Sequence, residues 1–266
     1  MSFQPVIPFA GYTGWSFLTR TREAQQAAFE QSPTMRRDLA YFEENIARAT
    51  TAEALVSDRR LLSVALGAFG LSNDLENRYF IRKVLEDGTR GNDALANRLA
   101  DKRYHKLSRA FGYGDLAVPN TARSDFPEKI AAMYQNRRFE VAVGRKAPDM
   151  RLALNLTREL GPLATDDSSD TTKWFTVMGS GPLRKVFETA LGLPSSFGAL
   201  DIDKQVGVFR DKAARAFGDG TIAQFADPAR QEKLVRLFLV RSQIADGSGS
   251  LDSAATALAL LQNAAR

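Results

Sequence analysis

Apolar residues recur at helical spacing along most of the chain, most clearly between residues 51 and 114. In residues 58–71 an aspartate starts the pattern, apolar residues follow at intervals of three and four, and Gly70 comes near the end. Aspartate before the first apolar turn and glycine after the last one are start and stop signals of an α-helix. This segment therefore predicts one capped helix and indicates no chemistry by itself.

The same signals divide the rest of the chain into further helices. Ser32-Pro33, for example, is typical of an N-cap followed by proline at the first helical position. We find no convincing alternation of apolar and polar residues that would predict a β-strand. The main predicted helices cover residues 15–31, 33–48, 58–71, 75–87, 101–111, 127–143, 150–160, 182–191, 201–217, 228–244 and 251–265. We predict an all-α fold, a multi-helix globular bundle.

Two parts of the sequence are similar to each other. Residues 59–67 align with 184–192 without a gap, and both segments end in Ala-Leu-Gly, while residues 110–112 repeat as 216–218. An ancient duplication explains this similarity, and so does chance recurrence of short helix ends. The predicted divisions are a mobile N-terminal tail (1–14), a first helical half (15–118), a second helical half (124–245), and a Gly/Ser hinge with a C-terminal amphipathic helix (246–266).

The composition of the 266-residue chain is that of a folded protein, with 44% hydrophobic and 25% charged residues. The absence of cysteine excludes disulfides, thiolate nucleophiles and cysteine-ligated metals, and the single histidine, His105, narrows catalytic and metal chemistry further. The net charge of +5 is spread over both halves, which supports nucleic-acid binding only weakly.

The sequence contains neither a membrane-spanning segment nor a secretory signal. No apolar run approaches the roughly 20 residues that span a bilayer. Residues 1–9 lack a basic region, and two prolines interrupt their apolar residues. We therefore expect synthesis in the cytoplasm and no membrane insertion, while export that needs no cleaved signal peptide stays open.

Candidate chemical motifs are weak. The glycine-rich segment 178–185 places two cations at a helix start, where free N–H groups can bind an anion, but it lacks the spacing of nucleotide-binding loops. The carboxylate pairs are too common in pattern to indicate acid–base catalysis. The segment that starts at Asp246 resembles the start of a calcium loop, but it lacks the glycine at position six and the glutamate at position twelve of such a loop, so we interpret it as a linker. We expect no enzyme activity, no cofactor and no metal site.

Residues of three kinds indicate a candidate interaction surface. A leucine stripe on the C-terminal helix must bury itself on its own core, on a neighbouring copy or on another protein. The tryptophan beside the mobile start is either a core residue or an exposed binding anchor. Basic pairs, including Arg36-Arg37, contact phosphates or belong to a salt-bridged solvated face. The candidates are Trp15, Arg59, Arg60, Lys102, Arg103, Leu251, Leu258 and Leu261.

Several segments of the chain are similar to those of one family. They include residues 14–18, 37–42, 80–86 and 99–104 in the first half and residues 139–144, 150–154 and 174–179 in the second. Together they resemble an uncharacterised alphaproteobacterial domain family whose members are often encoded among flagellar genes. The resemblance covers nearly the whole chain. It implies no mechanism, because the family has no established activity or catalytic residues.

Three functional hypotheses remain open. The first is a non-enzymatic, flagellum-associated structural, assembly or export accessory protein that acts through protein–protein contacts, with flagellar components as partners. The second is a basic helical nucleic-acid-binding or regulatory protein, suggested by the pI of about 9.5 and the arginine pairs. The third is a carboxylate-dependent cell-wall hydrolase, which requires two carboxylates that face each other across a cleft.

Overall fold

The computed structural model describes the backbone of residues 4–264 and the side chains of residues 4–246 except Ser195. The described residues contain helices and no β-strand, which confirms the predicted all-α class. The α-helices are α1 (Gly11–Glu30), α2 (Pro33–Asn45), α3 (Ala52–Ser57), α4 (Arg59–Phe69), α5 (Arg78–Asp87), α6 (Leu95–Arg98), α7 (Lys102–Phe111), α8 (Phe126–Gly144), α9 (Pro148–Thr165), α10 (Asp170–Gly179), α11 (Gly181–Leu191), α12 (Ile202–Phe217) and α13 (Pro228–Ala264). Within the described residues, none of these helices is both long and apolar enough to cross a bilayer.

The described chain divides into two compact units that differ from the predicted halves. Unit 1 contains residues 4–6 and 21–143, and unit 2 contains residues 7–20 and 144–264. Helix α8 therefore belongs almost entirely to unit 1, where Tyr134 lies in the core. The segment 7–20 belongs to unit 2, because Tyr12 and Trp15 both donate hydrogen bonds to the carboxylate of Glu232, over 2.9 and 3.2 Å.

Hydrogen bonds and the start of α1 give residues 4–14 a defined structure, whereas the sequence predicts a mobile tail over residues 1–14. The backbone N–H of Val6 donates to Oε1 of Gln25 over 2.8 Å, and Nε2 of Gln25 donates back to the carbonyl of Val6 over 3.1 Å. Helix α1 begins at Gly11, four residues earlier than predicted. Pro5 and Pro8 lie in the non-helical stretch before this point, whereas Gly11 and Gly14 lie within the helix. Residues 1–3 lie outside the described residues.

The core of unit 1 surrounds α4. The carboxylate of Asp58 caps the helix by accepting the N–H groups of Arg60 and Leu61, over 2.9 and 3.0 Å. Eight of its eleven residues are buried, so its sides pack on several neighbours, among them α2 and α7. On α7, Phe111 is fully buried, and its ring centroid lies 5.0 Å from that of Phe126. The apolar run that defines α4 in the sequence is therefore the centre of a core.

An aromatic cluster forms the core of unit 2. The rings of Trp174 and Phe209 stack with their centroids 5.4 Å apart, and Phe187 meets Trp174 edge-on at the same distance. The indole N–H of Trp174 donates to the carbonyl of Gly220 over 3.1 Å, so its polar atom is satisfied. These three aromatic side chains are fully buried, and they join α10, α11 and α12 into one unit.

The two units share a helix ending, at positions that revise the predicted repeat. Helices α4 and α11 each end at a left-handed glycine, Gly70 (φ +74°) and Gly192 (φ +64°). The next residue, Leu71 or Leu193, donates its N–H to the carbonyl five residues back, over 2.8 and 2.9 Å. These bonds form the Schellman motif. Gly70 is therefore the equivalent of Gly192, whereas the sequence alignment places Gly67 there.

Each of the two helix ends is approached by a different arginine from a later helix. A Cβ atom built on Gly70 would lie 3.5 Å from the guanidinium carbon of Arg137 on α8, and one built on Gly192 would lie 3.0 Å from Nη1 of Arg241 on α13. The order of elements is also shared. A 3₁₀ helix, a helix with a left-handed C-terminal glycine, and a second 3₁₀ helix separate α4 from α8 and α11 from α13, although α5 and α6 are extra in unit 1.

Helix α13 is continuous through the predicted hinge. Its backbone is helical from Pro228 to Ala264, including residues 246–250, where the Gly/Ser-rich sequence predicts a break between two helices. Glycine inside a helix costs only about 1 kcal/mol relative to alanine, so it weakens a helix without having to end it. The side chains of Leu251, Leu258 and Leu261 lie outside the described part of the structure, and their packing stays a prediction.

Candidate functional site

Three exposed arginines and one tyrosine form a surface cluster in unit 1, which we call the arginine patch: Arg36, Arg37, Arg60 and Tyr41. Arg37 and Tyr41 are four residues apart and therefore share a face of α2. Arg60 comes from the first turn of α4, which packs against α2. The patch therefore exists because two helices that are separate in sequence meet in the core below it.

Arg60 is held by two contacts. Its guanidinium carbon lies 3.7 Å from the centroid of the Tyr41 ring, a cation–π arrangement. Its Nη2 atom donates to the backbone carbonyl of Arg37 over 3.1 Å. These contacts leave the remaining N–H groups of the guanidinium available to an anionic partner, because the two contacts use one face and one nitrogen.

Asp58 holds the Tyr41 side chain by a hydrogen bond. The Tyr41 hydroxyl donates to Oδ2 of Asp58 over 2.6 Å, while Oδ1 of the same carboxylate caps α4. Burial alone would raise the pKa of Asp58, but the hydrogen bonds from Tyr41 and from the α4 backbone outweigh it and hold the pKa below its ordinary value. The hydrogen bond to Asp58 raises the pKa of Tyr41 above its ordinary value. The carboxylate is thus ionised, and the phenol is neutral, at physiological pH.

A shallow depression of about 390 Å³ lies on α2 at Arg37, the residue whose carbonyl accepts the hydrogen bond from Arg60. Pro33, Arg36, Arg37 and Ala40 line it, all from the first two turns of α2. Guanidinium groups bind carboxylates through paired N–H donors, and an aromatic ring supplies an apolar contact beside them. The patch is therefore suited to bind an anionic side chain.

The predicted basic surface residues do not lie together. Arg59 and Arg60 are at the start of α4, whereas Nη1 of Arg103 donates to the carbonyl of Gly70 at its end. Eleven residues of helix separate the pairs by roughly 16 Å. Arg59 forms an ion pair with Glu76 at 2.7 Å, which agrees with the salt-bridged alternative.

The second basic pair serves local structure. Both carboxylate oxygens of Asp101 accept hydrogen bonds from Arg103, and the same aspartate caps α7. The ammonium group of Lys102 donates to the carbonyls of Asn97 and Leu99, each over 3.0 Å. Of the four predicted basic residues, Arg60 alone belongs to the arginine patch.

Trp15 is not the exposed anchor that was one of its two predicted roles. It is 2% exposed, and its indole N–H donates to Glu232. Trp15 is a core residue of unit 2.

The glycine-rich segment 178–185 and His105 also lie in surroundings that do not indicate a binding or catalytic site. The glycine-rich segment joins α10 to α11 through Ser180 alone, so a helix precedes it, whereas nucleotide-binding loops follow a strand. His105 is half-buried, and burial, followed by the charges of Arg109 and Lys102, lowers its pKa. Among the described residues, no group of three or more His, Cys, Asp or Glu side chains is arranged to hold a metal ion.

Sequence reasoning missed Tyr41 and gave Arg36 and Arg37 no special role. The i, i+4 spacing of Arg37 and Tyr41 is visible in the sequence and is a usable signal. The remaining member, Arg60, is 23 residues further along the chain than Arg37. Only the packing of α4 on α2 shows that it completes the cluster.

Comparisons with known proteins identify a family and a fold. A family model described as "Protein of unknown function (DUF1217)" matches residues 68–230. A crystal structure of an Agrobacterium tumefaciens protein from a structural-genomics programme is similar, with a TM-score of 0.73 and 23% sequence identity over 91% of this chain and 99% of that one. At this identity the likeness concerns the fold. A search of curated protein sequences gives no match.

Proposed function

Because this chain belongs to the DUF1217 family of proteins of unknown function, we propose that it is a non-enzymatic, flagellum-associated structural, assembly or export accessory protein acting through protein–protein contacts. The flagellar part of the proposal rests on the resemblance described above to a family whose members are often encoded among flagellar genes. The part that concerns protein contacts rests on the arginine patch.

The single observation that supports protein binding is the ordered stack of Arg60 on Tyr41. Arginine and tyrosine are enriched at protein interfaces and among the residues that dominate binding energy. A side chain that is already held in one conformation loses less entropy when a partner binds. The depression beside Arg36 and Arg37 offers room for a carboxylate side chain of that partner. The patch therefore fits an acidic segment of a protein.

The test is genetic complementation in the source bacterium. A strain that lacks the gene should assemble or rotate its flagella defectively, and the wild-type gene should restore swimming. A variant with Arg36, Arg37 and Arg60 changed to glutamate should fail to restore swimming although it accumulates normally.

The matched control changes three exposed cations of unit 2, Lys185, Lys204 and Arg215, to glutamate, which alters the net charge equally. This control should restore swimming. Normal filaments and normal swimming in the deletion strain would contradict the flagellar role. Equal activity of the two variants would contradict the role of the patch.

Nucleic-acid binding is a second candidate, because the same three guanidinium groups could contact phosphates. Phosphate contacts are strongest at low salt, so a gel-shift assay with DNA and RNA at low ionic strength is the sensitive measurement. Retardation that is lost in the Arg36, Arg37 and Arg60 variant and kept in the control variant would support this candidate. No retardation would remove it.

A further inference from the structure

Two exposed apolar side chains lie on the described part of α13. Val240 is 40% exposed and Ile244 is 64% exposed, and they are four residues apart on one face. The core-facing residues of the same helix are Leu234, Val235, Phe238 and Leu239, all at most 1% exposed. At 100° per residue the exposed pair lies on the side of α13 opposite to these residues. Unit 2 therefore leaves this apolar face uncovered at Val240 and Ile244.

The sequence continues the exposed pair along the helical backbone to Ala264. Apolar or small residues follow at intervals of three and four, and we call the resulting row the α13 seam: Val240, Ile244, Gly247, Leu251, Ala254, Leu258 and Leu261. Spacing of alternately four and three residues is the heptad pattern of a coiled coil, in which the row faces a second helix. The seam is about 32 Å long at 1.5 Å per residue.

We propose that the α13 seam pairs with the α13 seam of a second copy of this chain, with the two helices antiparallel. The order of residue sizes supports this arrangement. When one helix is reversed, Leu258 comes opposite Gly247, Leu251 opposite Ala254, and Ile244 opposite Leu261. The small residue thus faces a leucine in the layers that contain Gly247 and Ala254, as close packing requires.

Parallel pairing in register fits the seam less well. It would place Gly247 opposite Gly247 and Ala254 opposite Ala254, which leaves cavities in two layers, and unfilled volume in an apolar interface costs stability. The seam is therefore complementary to itself only when one helix is reversed.

The positions that flank the seam also favour a second copy over a different helix. In coiled coils, charged residues at the flanking positions select the partner and the orientation. From residue 243 onward these positions carry no charge in this chain, so they neither repel an identical helix nor offer a charge pattern to another one. The flanking residues are Gln243, Ser248, Ser250, Ala255, Ala257 and Gln262.

Light scattering or sedimentation of the full-length protein tests the pairing, and its outcome does not depend on the flagellar proposal. The wild type should have twice the 29.3 kDa mass of the chain at micromolar concentrations. Leu251→Asp combined with Leu258→Asp should halve this mass. The control Val118→Asp changes a 68% exposed side chain of unit 1 and should leave the mass unchanged.

Cysteine cross-linking tests the orientation, since the natural chain contains no cysteine. The double variant Ile244→Cys and Leu261→Cys should form a disulfide-linked dimer under mild oxidation, whereas Ile244→Cys alone should not. Unchanged circular dichroism and fluorescence of the buried Trp15 and Trp174 verify that each variant is folded. A monomeric wild type would overturn the proposal. Cross-linking of the single variant to the same extent as the double variant would overturn the antiparallel orientation.

Discussion

Two glycines of helix α12 should respond oppositely to the same substitution. Gly207 lies inside the helix, and Gly218 follows its last residue with a φ of +90°. A Cβ atom added at either position would meet no heavy atom within 4 Å, so steric contact does not contribute at either site. The difference in unfolding free energy between the two alanine variants therefore reports the effect of backbone conformation.

The expected magnitudes follow from that conformation. Gly207→Ala should stabilise the protein by about 0.5–1 kcal/mol, because alanine loses less backbone entropy in a helix than glycine does. Gly218→Ala should destabilise it by about 1 kcal/mol. An L-residue in the left-handed region costs roughly 1–2 kcal/mol. This cost outweighs the stabilisation that alanine brings by lowering the entropy of the unfolded chain. The two variants should differ by about 1.5–2 kcal/mol.

Urea unfolding at 25 °C, followed by circular dichroism, measures both changes. Because Gly207 lies in α12 and Gly218 directly follows this helix in unit 2, any separate unfolding of unit 1 affects the two variants equally. Gly218→Asn is the matched control, since asparagine tolerates the left-handed region better than alanine and should lose less stability. If Gly218→Ala were as stable as Gly207→Ala, α12 would not end at a left-handed residue, and the reasoning would be refuted.

Two further predictions concern partly buried polar groups. Glu232→Ala should destabilise the protein by about 1–3 kcal/mol in urea unfolding, because it leaves the buried N–H of Trp15 and the hydroxyl of Tyr12 without their acceptor. Glu232→Gln keeps an acceptor and should destabilise it less. Equal losses of stability in the two variants would contradict this reason. Burial, together with the hydrogen bond to Asp74, raises the pKa of Tyr104 to about 12, whereas the unfolded chain releases this proton near pH 10. The free energy of unfolding should therefore fall between pH 10 and 12, and it should fall less steeply in Tyr104→Phe; identical slopes in urea titrations at these pH values would argue against it.

Local signals in the sequence predict the helices well. Asp58 and Gly70 lie where the sequence expects the start and end of α4, and Asp101 caps α7. These signals work because a capping side chain bonds to backbone groups only two or three residues away. The contacts of the N-terminal segment have no such local signal, since the hydrogen bonds of Val6 are with Gln25, which is 19 residues away.

The division into units and the arginine patch depend on contacts that local patterns do not contain. Glu232 and Trp15 are 217 residues apart, and their contact assigns the start of α1 to unit 2. Likewise, Arg37 and Arg60 become neighbours only because α2 and α4 pack together. Helical periodicity shows which face of each helix is buried, but not which other helix covers it.

The internal repeat shows why matching residue types can give a wrong register. The gapless alignment pairs Gly67 with Gly192 because both follow Ala-Leu, yet the two glycines occupy different structural positions. Gly67 lies inside α4, where a Cβ atom would come within 2.5 Å of the Tyr134 ring, whereas Gly192 ends its helix in the left-handed region. Aligning Gly70 with Gly192 instead matches a left-handed residue, a following leucine and the same hydrogen bonds.

The corrected register favours duplication over chance. With Gly70 on Gly192, the buried residues of α11 all fall on buried residues of α4: Leu183 on Leu61, Val186 on Val64, Phe187 on Ala65, Ala190 on Ala68 and Leu191 on Phe69. Chance recurrence of an Ala-Leu-Gly helix end explains three matching letters. Burial alone is weak evidence, because eight of the eleven residues of α4 are buried. Chance recurrence does not explain the shared Schellman motif together with an arginine that approaches each helix end from the last helix of its unit. A repeated helical unit accounts for both features, because two copies of one unit would share a helix ending and the packing around it.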